Sequence, residues 1–334
     1  MKFSFAPMEG ITGYPFRNAF QQCFPGIDRF YTPFLSANDT FSFTTREIRD
    51  TDPERNHVPD LVPQIITNNS EMFIWAIEEM MKLGYNEVNL NVGCPSGTVV
   101  AKGKGSGMLR SPDRLDEFFE ESFELLHKRG IHCCANASDE EAVTSPSVRI
   151  SVKTRIGIHD ASEVGDIIPI YNRYPLSEVI VHGRVQKEFY KGGIHYDVFR
   201  KFIEESRHHL VYNGDICTKA DYERISALFP ETDTVMIGRG LLMNPSLVRE
   251  IKGGEKATLE EIKHFHETLI DNYIPEMGSD KNLLFKVKEY WNWLSKSFSG
   301  SERYMKDIRK AHSLAEYRAA VRNLMANCEL AMNP

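Results

Sequence analysis

The stretch Glu87-Val88-Asn89-Leu90-Asn91-Val92-Gly93-Cys94-Pro95 decides how the chain is read. Val88, Leu90 and Val92 alternate with polar residues, which is the period of a strand. The strand stops at Gly93, and Pro95 cannot donate to a ladder. Cys94 is therefore expected at the C-terminal tip of a strand, on a tight turn where a thiol can meet a substrate. Most free cysteines are small buried hydrophobes, and spacing alone leaves that reading open. Asn89 and Asn91 weigh against it. They stand two apart, so they share one face, and a plain core strand has no need of two amides there. Downstream, Gly97, Gly103, Gly105 and Gly107 suit a loop that moves or lies close to a ligand.

The chain has 334 residues and a formal net charge of −7. That length accommodates one large α/β barrel with an appendage, or two domains. No apolar run is long enough for a transmembrane helix, so no membrane partner is expected. No signal-peptide core is visible after Met1, and the six cysteines show no Cys-x-x-Cys spacing and no partnered histidine cluster. These features point to a cytoplasmic protein without bound metal, expected as a monomer. Charge is uneven. From Lys281 onward there are ten Lys or Arg against five Asp or Glu, a net of +5, which leaves −12 for the rest. A basic tail on an acidic body suggests a polyanion contact confined to one region, or a solvated helical face.

Short apolar runs read as strands at residues 3–6, 29–31, 61–66, 87–91, 149–155, 178–182, 210–213 and 234–237. Helical patterns lie between them at 15–23, 70–83, 112–128, 161–174, 196–206 and 219–228. Ser70 and Ser111 read as N-caps, with Pro112 at the first helical position. Eight strands alternating with helices predict a (β/α)8 TIM barrel. A doubly wound sheet is the rival, but the first strand–helix turn, Ala6-Pro7-Met8-Glu9-Gly10, has no G-x-G-x-x-G. Residues 132–147 read as a polar surface insertion before the fifth strand. Beyond Asn244-Pro245 the strand pattern gives way to helices at 258–273, 283–297, 301–311 and 314–330. The organisation expected is a catalytic barrel over residues 1–250 and an all-helical domain over 251–334.

In such a barrel the active site is built at the C-terminal ends of the strands. Those ends offer Pro7, Met8 and Glu9, then Gln64, then Asn89, Asn91 and Cys94. Lys153 and Arg155 follow, then His182 and Arg184, then Asn213-Gly214-Asp215, and last Gly238-Arg239-Gly240. Loops after the seventh and eighth strands commonly make a phosphate site. Gly214, Gly238 and Gly240 let backbone N–H groups approach an anion, and Arg239 adds charge. A lysine facing a barrel interior needs an anionic partner, unless it snorkels outward through the helix layer. His182 and Gln64 each admit a plainer reading, as satisfied core residues. Together the set suits a planar cofactor that bears a phosphate. Metal-ligand clusters and a Ser-His-Asp order are absent from it.

At these residues the chain resembles the tRNA-dihydrouridine synthases, FMN-dependent barrels with a C-terminal helical domain. The resemblance is carried by Ala6-Pro7-Met8-Glu9-Gly10 with Pro15-Phe16-Arg17, by Val62-Pro63-Gln64 and by Leu90-Asn91-Val92-Gly93-Cys94-Pro95. It continues in Gly105-Ser106-Gly107-Met108-Leu109, Val152-Lys153-Thr154-Arg155-Ile156-Gly157 and Val181-His182-Gly183-Arg184. Asn213-Gly214-Asp215 and Met236-Ile237-Gly238-Arg239-Gly240 complete it. Pro7-Met8-Glu9-Gly10 is similar to the bacterial C-type subgroup. Two departures stand out: Glu9, where the family often has a small residue, and Val185 after Arg184, where it has Thr.

The resemblance implies reduction of uridine in tRNA to 5,6-dihydrouridine. Reduced FMN would give hydride to C6, Cys94 would protonate C5, and NADPH would reduce the flavin. Pro7, Met8 and Glu9 would line the isoalloxazine, with Gln64, Asn91 and Lys153 at its polar edge. His182 would stand near the phosphate side, and Asn213, Gly214, Asp215, Gly238 and Arg239 would hold the phosphate. Asn89, Arg155 and Arg184 are expected on the substrate side, with Lys286 and Arg303 of the basic tail on the RNA. Two other readings stay open on the residues alone: an FMN barrel acting on a free small molecule, of dihydroorotate or ene-reductase type, and a non-catalytic RNA-binding barrel.

Overall fold

The structure, a computed structural model, describes residues 1–135 and 146–332. Eight strand positions form the barrel: β1 (Lys2–Phe5), β2 (Arg29–Tyr31, resumed at Leu35–Ser36), β3 (Leu61–Val62 and Gln64–Ile66) and β4 (Glu87–Val92). β5 (Ser147–Arg155), β6 (Glu178–His182), β7 (His209–Asn213) and β8 (Thr234–Ile237) complete it. Every pairing between them is parallel, and β8 pairs with β1. The ring closes through the two broken strands, since Phe30 faces Leu61 while Leu35 faces Ile65.

The break has a physical cause. The third strand was expected to run unbroken over 61–66, but Pro63 has no N–H and interrupts it. The Thr32 hydroxyl accepts from the Gln64 N–H at 2.9 Å and bridges the gap. Ala6, Tyr31, Val62, Ile180, Val211 and Met236 fill the barrel interior. Its N-terminal end is closed by ions: Arg29 meets Glu87 at 3.0 Å and Asp60 at 2.7 Å, and Arg149 meets Glu87 at 3.0 Å.

The outer layer comprises α1 (Tyr14–Cys23), α2 (Thr45–Thr51), α3 (Ser70–Lys82) and α4 (Pro112–Lys128), then α5 (Val164–Tyr171), α6 (Tyr196–Glu205) and α7 (Lys219–Leu228). In α4, Leu115, Phe118, Phe119, Ser122 and Leu126 are buried at helical spacing, and Pro112 takes the first position. The cap of α3 is Asn69, whose side chain accepts from the Met72 N–H. Ser70, expected there, instead donates to Glu121 at 2.7 Å. Ser111 holds the cap position of α4 without a side-chain bond. Most of the insertion expected at 132–147 lies outside the described residues; at its ends His132–Cys133 pairs with Ser147–Val148.

Past β8, α8 (Arg239–Met243) and α9 (Leu247–Ile251) lead into α10 (Leu259–Tyr273), α11 (Asp280–Leu294), α12 (Glu302–Lys310) and α13 (Leu314–Asn327). Among the described residues, no helix is long and apolar enough to cross a membrane. Of these, α10 and α11 dock on α1. The Phe265 ring of α10 lies 6.0 Å from Phe16, 6.0 Å from Phe20 and 5.5 Å from Phe24. Tyr290 of α11 lies 5.4 Å from Phe16 and 5.7 Å from Phe265, so one apolar core runs from barrel to helices. Phe265 is fully buried, and truncating a buried Phe removes transfer energy and leaves a cavity. Phe265→Ala is expected to lower the unfolding free energy in urea by about 3–5 kcal/mol. A loss below about 1 kcal/mol would show that this junction contributes little.

Candidate active site

The register places the polar strand residues side by side. Asn91 faces Lys153 across β4 and β5, Arg155 faces His182 across β5 and β6, and His182 faces Asn213 across β6 and β7. At this C-terminal end lies a cavity of about 240 Å³. Pro7, Met8, Glu9, Gln64, Asn91, Cys94, Lys153, Arg155 and His182 line it. Asn213, Gly214, Asp215, Gly238 and Arg239 continue the lining.

Cys94 is clamped from both sides. The Asn91 Oδ1 accepts from the Gly93 N–H at 3.0 Å and the Cys94 N–H at 2.9 Å. The Cys94 carbonyl accepts from the Ser106 N–H at 3.1 Å and its hydroxyl at 2.9 Å. Gly105 has φ +57°, and a Cβ there would stand 2.9 Å from the Cys94 carbonyl oxygen. Gly105 therefore serves close packing under the thiol. Residues Gly97–Val100 form a helical turn and Gly105–Arg110 a 3-10 turn. Burial pushes the half-buried Cys94 thiol above its ordinary pKa, outweighing a backbone hydrogen bond at Ser96 and the charges of Lys153 and Arg155. The thiol keeps its proton at neutral pH.

Three cations share this cavity with Cys94. Burial, reinforced by Arg155, lowers the Lys153 pKa to about 8. Among the described residues no carboxylate pairs with Lys153, which leaves it available to a ligand. Arg155 is fixed by donating to the carbonyls of Gly93 at 3.1 Å, Val185 at 2.8 Å and Phe189 at 2.6 Å. Burial lowers it to about 10. His182 is held well below its usual value, first by burial and then by Arg155, Lys153, Arg184 and Arg239, so the ring is neutral.

Asp215 ties the third cation down. It accepts from both ends of the Arg184 guanidinium, one at 3.0 Å, and from Arg239. Burial alone would raise its pKa, but Arg184 and then Arg239 outweigh burial and hold it below the carboxylate range. Asp215, expected to hold a phosphate, is itself an anion facing two arginines; its geometry orients Arg239. The expected substrate contact of Arg184 needs the same correction. Its side chain is 2 % exposed and is directed to Asp215 and to the Gly192 carbonyl at 2.6 Å.

Asn89 is also corrected, since its side chain is fully buried beneath the cavity floor. Lys286 does not line the cavity; its ammonium donates to the Gly10 carbonyl at 2.7 Å and straps α11 to the loop after β1. Arg303 is exposed on α12, donates to the Tyr304 hydroxyl at 2.6 Å, and is not brought to the cavity. Glu9 pairs with Arg46 of α2 at the rim.

Tyr190 was not anticipated. Its ring, 48 % exposed, lies 4.7 Å from the Arg239 guanidinium, 5.6 Å from that of Arg155 and 6.2 Å from His182. It walls the cationic end of the cavity from a loop in which Phe189 takes φ +50°. The signal available was an aromatic pair, Phe189-Tyr190, ahead of Gly192-Gly193. Phe34 and Cys217 line the cavity as well, and nothing in their spacing marks them.

A family model described as dihydrouridine synthase (Dus) matches residues 4–329. A probable tRNA-dihydrouridine synthase of Staphylococcus aureus (strain Mu50) is 26% identical over 331 residues, spanning 95% of this chain and 91% of its own. A Synechocystis sp. protein named probable tRNA-dihydrouridine synthase 1 is 24% identical, spanning 98% of this chain and 87% of its own. Morphinone reductase superposes with a TM-score of 0.52 over 79% of this chain and 88% of its own, at 11% identity, a likeness of fold alone. With strand-tip thiol, cation set and barrel in place, and a family model that covers nearly the whole chain, the protein belongs to the dihydrouridine synthase family of enzymes.

Proposed function

We propose that this protein reduces uridines of tRNA to 5,6-dihydrouridine, with FMN as its cofactor, NADPH as the reductant and Cys94 as the acid. The observation that carries this reading is a thiol clamped at the tip of β4, its pKa raised by burial, in one cavity with Arg239 and with Lys153, which pairs with no carboxylate among the described residues. The printed names of its relatives support the RNA substrate.

The residues present fit a flavin mononucleotide. At one end Gly238 leaves room where a Cβ would come 3.3 Å from Ala6 and 3.5 Å from Met8. Arg239 and the neutral His182 stand there for a phosphate. At the other end Gln64, Asn91 and Lys153 would meet the polar edge of a ring, with Pro7 and Met8 as apolar wall. When bound, reduced FMN supplies a hydride to C6 of the uracil. Cys94 holds a proton at Sγ for C5, and its raised pKa keeps that proton in place at physiological pH. Lys153, walled in and without a carboxylate partner among the described residues, favours negative charge developing nearby.

A uracil stacked in folded RNA must be swung out to reach this thiol. We assign residues 1–250 to the cofactor and the chemistry, and the helical residues 251–334, which are basic from Lys281 onward, to the RNA. Lys286 and Arg303 are the proposed contacts, Lys286 from the groove edge beside the cavity and Arg303 from the open face of α12.

Cys94→Ala should keep FMN and lose about 10²–10⁴-fold in single-turnover reduction of unmodified tRNA, the usual contribution of a positioned acid. Wild-type rates in that variant would remove the acid from Cys94. The raised thiol pKa sets a pH dependence. In flavin-free protein, iodoacetamide labelling of Cys94 is expected to stay slow through neutral pH and to climb only above the ordinary thiol value of 9.0. A labelling midpoint below about 7 would mean a thiolate, and no acid at neutral pH. Arg239→Ala should weaken FMN binding by about tenfold or more, the scale of one charge-assisted hydrogen bond. Equal flavin retention by gel filtration would move the phosphate elsewhere.

A further inference from the structure

Asn89 has no place in the chemistry above, yet it sits at the middle of an unbroken chain of buried polar groups. The register sets Gln64 of β3, Asn89 of β4 and Ser151 of β5 in one row across the sheet. All three side chains are 0 % exposed. The Asn91 Nδ2 donates to Gln64 Oε1 at 2.8 Å, and Gln64 Nε2 donates to Asn89 Oδ1 at 2.7 Å. Asn89 Nδ2 donates to Ser151 Oγ at 3.0 Å, and the Ser151 hydroxyl reaches the Val88 carbonyl at 3.4 Å.

The direction of this chain is determined at its ends. The Cys94 N–H is only a donor, so it requires Oδ1 of Asn91. The Nδ2 of Asn91 then faces Gln64 and requires its oxygen. The same logic passes to Asn89 and Ser151, and it ends on a backbone carbonyl that only accepts. An isolated side-chain amide can turn end for end freely. Within this row, a reversed Gln64 amide would set N–H against N–H on one side and oxygen against oxygen on the other, and a reversed Asn89 amide would set its N–H against that of Gln64. Away from water such a mismatch has no substitute partner.

We propose that Asn89 is a positioning residue: it locks the Gln64 amide in the direction that Asn91 requires and, through Asn91, it holds the turn that presents Cys94. This rests on the reading of the cavity as a flavin site with Cys94 as its acid. The plainer alternative is that the row only stabilises the barrel, in which case any variant that folds equally well should serve.

The two differ in a test that compares Asn89→Leu with Asn89→Asp. Buried among neutral amides, the new carboxyl of Asn89→Asp keeps its proton. One oxygen then accepts from Gln64 and the hydroxyl donates to Ser151, so the direction is preserved. Leucine keeps the volume and ends the chain. Cys94 labelling by iodoacetamide is followed by mass mapping in flavin-free protein at pH 8, and FMN affinity is measured by fluorescence. Asn89→Leu should label about threefold faster or more, as the turn loosens, and bind FMN about tenfold more weakly, while Asn89→Asp returns both within about twofold of wild type. Wild-type labelling and affinity in Asn89→Leu would overturn the proposal. So would an Asn89→Asp variant as impaired as Asn89→Leu. If Asn89→Leu does not fold, Ser151→Ala stands in, because it removes the acceptor for Asn89 Nδ2. It should shift labelling in the same direction, and unchanged labelling would overturn the proposal. The thiol readout needs no flavin: wild-type protein that never binds FMN would end the functional reading and leave the labelling comparison to decide the role of Asn89.

Discussion

The pairing of β4 with β5 sets the site. It places Asn91 opposite Lys153 and, one pleat deeper, Asn89 opposite Ser151. A slip of one residue would turn every one of these side chains to the other face of the sheet. Closure of the barrel removes that freedom, because each strand is paired on both sides and none is an edge. The thiol follows from this register. Asn91 can reach back to the N–H groups of Gly93 and Cys94 only because its own side chain points inward at the last pleat before the turn.

The electrostatics follow in turn. Arg155, Arg184, Arg239 and Lys153 converge on one end of the barrel, and Asp215 is the carboxylate that joins two of them. Burial, and then their mutual repulsion, show in Lys153 and His182, both pushed toward their neutral forms. An anion entering beside Arg239 would relieve that strain, which is why the cluster supports a phosphate-bearing cofactor. Arg155 has a different task. Its guanidinium joins the carbonyls of Gly93, Val185 and Phe189 and so ties the Cys94 turn to the loop that carries Tyr190.

Much of this was legible in the chain itself. Alternation in Val88-Leu90-Val92, the helical spacing in α4 and the order of strand ends all survive into the fold, because each reports a local period that packing reinforces. The position of Cys94 was legible for the same reason: Gly and Pro punctuate backbone wherever they stand. What a sequence does not carry is partner choice. Asn89 and Asn91 look alike from their spacing, but one closes a turn at the cavity and the other is sealed beneath it. Arg184 and Arg239 are both flanked by glycine, and only the fold shows that Asp215 ties both while Arg184 is buried. The break at Pro63 was missed because strand-like residues continue on both sides of it, and the capping of α3 by Asn69 because Ser70 next to it carries a similar signal. Tyr190 was missed because its partners come from β5, β6 and the turn after β8.

In the proposed reaction a flavin held in this cavity reduces a uracil of RNA that Cys94 protonates. Absorption spectroscopy of the FMN-loaded protein without oxygen tests it most directly. The flavin band should bleach with NADPH and return when tRNA lacking dihydrouridine is added, but not with tRNA that already carries it. A band that returns with a small enone or with orotate, and not with the unmodified tRNA, would contradict it.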